Sequence, residues 1–333
     1  MVSDAAPREP DHPPTEFVRT PDDRFSGLVD YPYEANYTSV RAKGVDDLRM
    51  HYVDAGPSDG PVVLLLHGQP TWSYLYRKVI PELTDRGLRA IAPDNIGFGR
   101  SDKPTARTDY TYRRHVQWMT SFVEALDLRD VTLVVQDWGG PIGLSTLAAL
   151  PERFARVVAS NTVLHTSDPS LAGQLTWANH GTGDGRVVLE ESLLDYVQYC
   201  QRAPELVAST FLYGASGPVA PEVLAAYDAP FPDQRHSAGL RQMTALIPLT
   251  PNDAGAAIGR ATMEALERWQ RPFLTAYSDA DPATRGWETV FRLRVPGATG
   301  QPHRTITGAG HFVQEDKGEE LGQIVASFIE STS

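Results

Sequence analysis

Short apolar runs alternate with longer segments of helical spacing along most of this sequence. From Leu48 onward, the strand-like runs are HYVDAG, PVVLLLH, LRAIAPD, VTLVVQD, RVVASNTV, RPFLTAYS and RTITG. Helical spacing is found in WSYLYRKVIPELTDRG, TYRRHVQWMTSFVEALDL, GPIGLSTLAAL, ATMEALERW and GEELGQIVASFI. Short runs of Val, Leu and Ile between helices indicate an α/β domain with a mostly parallel sheet and helices on both of its faces.

The alternation is interrupted once. Between residues 167 and 239, patterns such as ESLLDYVQYC and PEVLAAYDA are helical, and no clear strand is predicted. We therefore expect an α/β core formed by residues 1–166 and 240–333, with a helical cap at 167–239. Residues 1–16 are largely polar and rich in proline, so we expect them to be flexible.

Composition narrows the possible partners. The chain has 333 residues, of which 41% are hydrophobic, and its net charge of −12 argues against a general affinity for nucleic acid or an anionic membrane. A single cysteine, Cys200, excludes an internal disulfide framework and a cysteine-based zinc site. The beginning of the chain lacks the apolar region of a signal peptide, and no apolar run approaches the length of a membrane span. These features predict a cytoplasmic protein.

The segment VTLVVQDWGG at residues 131–140 places a carboxylate at the end of a buried strand. Ligands of an open parallel sheet bind beyond the carboxyl ends of its strands, which is where Asp137 is expected. Gly139 and Gly140 follow it, and small residues there suit the tight strand–turn–helix called the nucleophile elbow. Asp is also a common helix cap, so the local pattern alone leaves a capping role open.

Two further polar residues at strand ends favour catalysis over capping. The motif GAGHFVQE places His311 just after a late strand, and SDADP places Asp281 after the preceding one. The chain order nucleophile, acid, histidine is that of α/β-hydrolase triads. Asp279 competes for the acid role, but the third position after Ser278 is the usual one and favours Asp281. The earlier strand RVVASNT ends at Asn161, which is not a carboxylate.

An aspartate nucleophile predicts chemistry that a serine does not. A carboxyl group with an ordinary pKa of about 3.9 is already ionised at neutral pH. Asp137 is therefore expected to displace a leaving group from a saturated carbon and form an alkyl ester. His311, oriented by Asp281, would then activate water against that ester. The backbone N–H groups of Trp138 and Gln69 are expected to stabilise the oxyanion.

Alkyl halides and epoxides are the two substrate classes that suit this logic. An epoxide opens to an alkoxide that must be protonated, which requires acidic donors, commonly paired cap tyrosines. The tyrosines of the predicted cap are mostly expected to pack, but they are the candidates for such donors: Tyr196, Tyr199, Tyr213 and Tyr227. A halide requires N–H donors in an apolar pocket, and an indole donates without accepting. Trp138 is compatible with both classes. Trp177 is the only tryptophan between Trp138 and Trp269, and it favours the halide.

Seven stretches spread almost from end to end carry a family resemblance. They are RTPDDRFSGLVDYPYEANY, HGQPTWSYLYRKVIPEL, IAPDNIGFGRSDKP, LVVQDWGG, AYDAPFPD, SDADP and GAGHFVQE. Together they resemble the haloalkane dehalogenases, in particular the subfamily that binds the halide with two tryptophans and has its acid after the late strand. The HGxP motif is shared with epoxide hydrolases, whereas QDWGG and AYDAPFPD together are specific.

The resemblance implies an α/β-hydrolase fold with a helical cap domain inserted after the sixth strand. It also implies that a halogenated alkane reacts with water to give an alcohol, a halide ion and a proton, without a metal or an organic cofactor. Gln69 stands where this subfamily often has Glu and another has Asn, so contact of its amide with the halide is left open. A monomer or a weak homo-oligomer is expected. The site residues implied are the nucleophile Asp137, the base His311, its partner Asp281 and the halide donors Trp138 and Trp177.

Overall fold

The centre of the molecule is an eight-stranded sheet. The computed structural model describes residues 14–168, 180–181, 187–188, 191–212, 215–248 and 250–332. The strands of the sheet are β1 (Asn36–Val40), β2 (Leu48–Ala55), β3 (Val62–Leu66), β4 (Arg89–Pro93), β5 (Val131–Asp137), β6 (Phe154–Thr162), β7 (Phe273–Ser278) and β8 (Arg304–Ile306).

The order of the strands brings several carboxyl ends to one edge of the sheet. Across the sheet the order is β8, β7, β6, β5, β3, β4, β2, β1. β2 is antiparallel to β4 and to β1, and the remaining neighbours are parallel. The mostly parallel sheet predicted from the apolar runs is therefore confirmed. Because β3, β5, β6 and β7 all run in the same direction, the residues that follow them meet at the same edge.

Helices cover both faces of the sheet, as predicted. The helices of the described segments are α1 (Val79–Thr84), α2 (Tyr112–Ala125), α3 (Gly139–Ala149), α4 (Glu191–Arg202), α5 (Pro221–Asp228), α6 (Ala238–Ala245), α7 (Ala254–Leu266), α8 (Trp287–Arg294) and α9 (Val313–Thr332). None of the helices in these ranges is long and apolar enough to cross a bilayer.

Alternation along the strands divides the interior into two hydrophobic clusters. In β5, Leu133 and Val135 point into the cluster that contains buried residues of α2, α3, α7 and α8. Val134, between them, points into the cluster that contains buried residues of α1 and α9. Both faces of β5 are thus buried, and its first six residues are all inaccessible to solvent. This rigid strand carries Gln136 and Asp137 at its end.

Some elements differ from those that the sequence predicts. β1 is an edge strand of mostly half-buried residues, and its weak apolar signal left it unpredicted. The helical pattern that begins at Trp72 forms a short 3-10 helix, Ser73–Tyr76, before α1. α6 and α8 were not predicted. Two short strand pairs were not predicted either: Phe17–Val18 with Lys103–Pro104, and His180–Gly181 with Val187–Val188.

The insertion predicted between β6 and β7 is present. In the described part of that interval, the chain forms α4 to α7 and adds no strand to the central sheet. The predicted boundary between residues 239 and 240 falls inside α6, so where the cap ends stays a prediction. The predicted flexibility of residues 1–16 falls largely on residues 1–13, which lie outside the described residues.

A buried ion pair fixes the start of α9 against the rest of the molecule. Arg77 donates two hydrogen bonds to Glu315, of 2.7 and 2.6 Å, and both side chains are at most 7% exposed. The hydroxyl of Tyr227, on α5, donates to the same carboxylate at 2.9 Å. Lys78 donates to the backbone carbonyl of Glu315 at 2.6 Å. Because Glu315 lies four residues after His311, this network also holds the loop that carries His311.

We expect Glu315→Gln to lower the free energy of unfolding by about 3–5 kcal/mol, since it leaves the buried Arg77 guanidinium without its counter-charge. Denaturant titration of the variant measures this loss. Asp47→Asn is the matched control, because it breaks the exposed ion pair of Arg41 and Asp47 and should leave the midpoint nearly unchanged. Equal midpoints for Glu315→Gln and the wild type would contradict the prediction.

Candidate active site

Asp137 ends β5 in a strained turn. Its backbone φ is +48°, a left-handed conformation that side-chain-bearing residues rarely adopt. The turn is packed too closely for larger neighbours. A methyl group on Gly68 would collide with the Asp137 carboxylate, and one on Gly139 would collide with the backbone carbonyl of Leu66. α3 begins at Gly139, so the predicted strand–turn–helix is present. Asp137 makes no side-chain cap to this helix.

A backbone donor from a neighbouring loop binds the Asp137 carboxylate. The N–H of Gln69, in the loop after β3, donates to Oδ1 at 2.7 Å. The backbone nitrogen of Trp138 lies close to the same loop, since the position that a methyl group on Gly68 would occupy is 2.5 Å from it. The backbone carbonyl of Asp137 accepts a 2.6 Å hydrogen bond from Thr162 on β6. The carboxylate therefore sits on a fixed backbone and is bound by Gln69, one of the two predicted oxyanion donors.

His311 lies between two carboxylates. Its Nε2 is 3.5 Å from Oδ2 of Asp137, and its Nδ1 is 3.1 Å from each carboxylate oxygen of Asp281. Asp281 is 2% exposed and also accepts hydrogen bonds from the Ala283 backbone and the Thr284 hydroxyl. Asp279, the competing acid, turns instead to the backbone N–H of Gly308. The structure thus brings together the three residues predicted as a triad.

The pKa values of this pair follow from burial and charge. Burial lowers the pKa of His311, but the negative charges of Asp281 and Asp137 outweigh it and raise the pKa from 6.5 to about 10. Burial raises the pKa of Asp281, but the His311 charge and the hydrogen bonds from His311, Thr284 and Ala283 outweigh it and hold the pKa below its ordinary value. The surroundings of His311 therefore favour its protonated form, and those of Asp281 favour the carboxylate.

Asn161, at the end of β6, holds the loop that carries His311. Its side-chain amide donates to the backbone carbonyls of Gly310 and His311, at 2.9 and 3.0 Å, and to the Ser278 hydroxyl at 2.8 Å. Its Oδ1 accepts from the backbone N–H of Ser278. Because an amide can donate to the carbonyls, as a carboxylate cannot, this position suits Asn when the acid is Asp281.

Of the two predicted halide donors, Trp138 lies among the described residues. The Trp138 side chain is 4% exposed and packs edge-on to Tyr112, with His165 against it at a ring-centroid distance of 4.8 Å. Trp177 lies outside the described residues. The side chain of Gln69 commits one amide hydrogen to the backbone carbonyl of Leu240 on α6, at 2.6 Å, and its Nε2 lies 4.0 Å from the Cys200 sulfur.

Among the cap tyrosines that the structure describes, Tyr196 is the one whose pKa the charge of Asp137 raises. Burial raises its pKa, and the charges of Cys200 and Asp137 raise it further. Tyr199 is 42% exposed and packs on Phe211. Tyr227 donates to Glu315, and Tyr213 lies outside the described residues. The described cap tyrosines therefore do not form a pair of free acids over Asp137.

Sequence reasoning did not identify a role for Gln136 or Thr284. Gln136 is fully buried and contacts His311, and Thr284 donates to Asp281. The signal for Gln136 was present, because a polar residue directly before the nucleophile interrupts an apolar strand. The signal for Thr284 was weaker, since a threonine in a polar loop has no distinguishing pattern.

Comparison with known proteins agrees with this geometry. A family model described as the alpha/beta hydrolase fold matches residues 61–183. A haloalkane dehalogenase of Psychrobacter cryohalolentis is 45% identical, over 94% of this chain and 98% of its own. A haloalkane dehalogenase of Mycobacterium marinum is 45% identical, over 94% of this chain and 99% of its own. The solved tetrameric haloalkane dehalogenase DpaA of Paraglaciecola agarilytica superimposes with a TM-score of 0.78 at 34% identity, covering 94% of this chain and 97% of that one.

The sheet order, the elbow and the acid–histidine pair define a hydrolase of the α/β-hydrolase fold. At 45% identity over nearly its whole length, the chain belongs to the haloalkane dehalogenases. The family resemblance stated from the motifs is confirmed. The assignment to the two-tryptophan subfamily stays a prediction.

The raised pKa of His311 predicts a pH-dependent contribution to stability. A basic group whose pKa is higher in the folded than in the unfolded protein stabilises the folded state. For His311 this contribution is complete below pH 6.5, its ordinary pKa, and is lost as the pH rises through the folded pKa of about 10. We therefore expect the difference in Tm between the wild type and Asp281→Asn to be largest near pH 6 and to shrink as the pH rises from 6.5 toward 10. Thermal unfolding measured across this range tests it.

Asp279→Asn is the matched control, because it removes a carboxylate from the same loop without touching His311. Its Tm difference from the wild type should stay constant over the same pH range. A difference for Asp281→Asn that does not change with pH would contradict the pairing of the two charges.

Proposed function

We propose that this chain hydrolyses halogenated alkanes through an alkyl ester on Asp137. The observation that carries the proposal is the Asp137 carboxylate itself, which is bound by the Gln69 N–H at 2.7 Å and lies 3.5 Å from a histidine paired with a second acid. The overall reaction converts the halide and water into an alcohol, a halide ion and a proton. Membership of the haloalkane dehalogenases supports this chemistry.

In the first step, an oxygen of Asp137 attacks the carbon that carries the halogen. The new carbon–oxygen bond forms as the carbon–halogen bond breaks, and the halogen leaves with the bonding electrons. No proton is required, so a protonated His311 does not hinder this step. The indole N–H groups of Trp138 and Trp177 stabilise the departing halide, a role that rests on the resemblance and on the position of Trp138 beside the nucleophile.

In the second step, His311 removes a proton from water, and the water oxygen attacks the carbonyl carbon of the ester. The N–H groups of Gln69 and Trp138 stabilise the oxyanion. The bond from the ester carbon to the alkyl oxygen then breaks, and this oxygen takes the second proton of the water and leaves as the alcohol, with the Asp137 carboxylate regenerated. Ester formation has already removed the negative charge of Asp137, which is one of the causes of the raised pKa of His311. The first step thereby lowers the pKa of His311 and prepares it to act as a base.

Three further features belong to this proposal. The helical cap spans residues 167–239, an assignment supported by the helices α4 and α5. The protein acts in the cytoplasm as a monomer or weak homo-oligomer, in line with its net charge of −12. The substrate is a small halogenated alkane, with water as the second reactant and the halide ion as a product.

We expect the wild-type protein to release bromide and acid from a panel of brominated alkanes, and His311→Phe to stop after the first step. The variant lacks the base that activates water, so the alkyl group stays on Asp137. Mass spectrometry of the intact variant and of its peptides measures the added mass. Asp137→Asn in the same background is the control, because its amide is a poor nucleophile and should gain no alkyl group.

Epoxides tested in parallel separate the two substrate classes. Turnover of an epoxide to a diol with no bromide release from any bromoalkane would refute dehalogenation. An unmodified Asp137 in His311→Phe, in spite of bromide release by the wild type, would refute the covalent route.

We expect Trp177→Phe to lower kcat/KM for bromoalkanes at least tenfold, since a hydrogen bond to an ion is worth about 1.5–3 kcal/mol. Steady-state bromide release measures the loss, and quenching of tryptophan fluorescence by added bromide measures halide binding. Trp269→Phe is the matched control, because it removes one indole outside the predicted cap. If both variants retain wild-type kcat/KM and bromide binding, Trp177 is not a halide donor.

A further inference from the structure

Gln136 directly precedes the nucleophile and reaches the predicted base. The side chain is fully buried. Its amide nitrogen lies 3.2 Å from Nε2 of His311 and 3.3 Å from the backbone carbonyl oxygen of the same residue. One side chain on the rigid strand β5 therefore contacts both the ring and the backbone of the histidine that activates water.

The orientation of this amide follows from its partners. A backbone carbonyl oxygen only accepts hydrogen bonds, so the amide must present its NH2 group to His311. The second hydrogen of the same nitrogen is then available to Nε2 of the ring. A nitrogen that receives a hydrogen bond must carry a lone pair, so this contact favours an imidazole that is unprotonated at Nε2.

The oxygen of the Gln136 amide is less favourably placed than its nitrogen. Its Oε1 is buried, without a hydrogen-bond partner among the described residues. A buried acceptor that lacks a partner is unfavourable, and an apolar side chain of similar size would avoid it. Packing alone therefore does not explain why a glutamine stands here. The contact of its NH2 group with His311 does explain it.

We propose that Gln136 is a positioning residue that holds Nε2 of His311 as an unprotonated acceptor once the alkyl ester has formed on Asp137. The inference rests on the proposed function and deepens it. In the resting enzyme, the Asp137 carboxylate faces the same Nε2 at 3.5 Å and favours its protonation. Esterification removes that charge, and the Gln136 N–H then opposes only the more distant influence of Asp281 through Nδ1.

In the second step, His311 accepts one proton from the attacking water. The Nε2 lone pair takes a proton from water, and the electrons of the broken O–H bond become the new bond from oxygen to the ester carbon. Nε2 then carries the proton, and the regenerated Asp137 carboxylate again favours the charged ring. Gln136 neither takes up nor releases a proton. Its effect is confined to the protonation state and the orientation of the His311 imidazole.

The charged groups around His311 come from several elements. Asp137 faces the ring from the end of β5, and Asp281 faces it from the loop after β7. On α9, Glu315 is paired with Arg77, and Asp316 accepts the N–H groups of Gly310 and Gly217. From the cap side, the Ala215 carbonyl accepts the His311 N–H. Gln136 is a neutral donor directed at Nε2, where Asp137 supplies the opposing charge.

The test separates the two chemical steps in Gln136→Met, which removes the N–H at nearly constant size. Rapid mixing of enzyme with 1-bromobutane measures the bromide burst of the first step, and quenching followed by mass measurement gives the decay of the alkyl-enzyme. We expect the burst to stay within about twofold of the wild type, because Gln136 does not touch the carbon–halogen bond. We expect alkyl-enzyme decay to slow about tenfold at neutral pH.

The pH profile of decay identifies the cause. Without the N–H, protonation of His311 is favoured, so the acid limb of the decay rate should move to higher pH by about one unit. Gln136→Glu has the same shape and places a carboxylate near the ring, so it should move the limb further in the same direction. Gln314→Met is the matched control, because Gln314 is equally buried near His311 and makes no hydrogen bond to its ring among the described residues. Its acid limb should coincide with that of the wild type.

The outcomes distinguish the inference from the function on which it rests. Two outcomes would overturn the role of Gln136 and leave dehalogenation intact. One is an acid limb of the decay rate that does not move in either Gln136 variant, and the other is an equal fall in the rates of the bromide burst and of alkyl-enzyme decay. Absence of a bromide burst in the wild type would instead refute the proposed function. If Gln136→Met does not fold, Gln136→Glu alone decides through the direction of its shift.

Discussion

Close packing at the end of β5 is the constraint on which the site depends. Asp137 adopts a left-handed backbone, with Gly68 and Gly139 so near that neither position has room for a methyl group. The loop after β3 is thereby pressed against the turn, which lets the Gln69 N–H reach the carboxylate. The strain is sustained by a strand buried on both faces between β3 and β6. A nucleophile on a flexible loop would not keep these donors aligned.

The two acids of the site are similar in chemistry and differ in surroundings. Asp281 is buried and has its oxygens occupied by His311, Thr284 and a backbone N–H, so it remains a fixed counter-charge. The side chain of Asp137 is 23% exposed, and its charge is consumed and restored in the proposed cycle. Environment therefore divides the roles of the two carboxylates. In the proposed mechanism, the charge of the predicted nucleophile Asp137 also controls the basicity of His311, which fixes the order of the two steps.

Much of this organisation could be predicted from the sequence, because it depends on local patterns. The apolar runs of β3 and β5 predict a parallel sheet, and the residues that follow parallel strands meet at one edge. That reasoning brought Asp137, Asp281 and His311 together. The edge strand β1 lacked such a run, and the contact of Gln136 with His311 depends on packing between segments 175 residues apart. The position of Trp177 relative to the nucleophile depends on cap packing in the same way and stays a prediction.

Gln69 serves two parts of the molecule at once. Its backbone N–H binds the Asp137 carboxylate, while its side chain is tied to the Leu240 carbonyl of α6. α6, within the insertion between β6 and β7, is therefore anchored to the same residue that binds the predicted nucleophile. A substitution that shifts the backbone of α6 would therefore act through this tether on the N–H that binds the Asp137 carboxylate. A segment exchanged with a relative must therefore keep the Leu240 carbonyl in place if the Gln69 donor is to stay aligned.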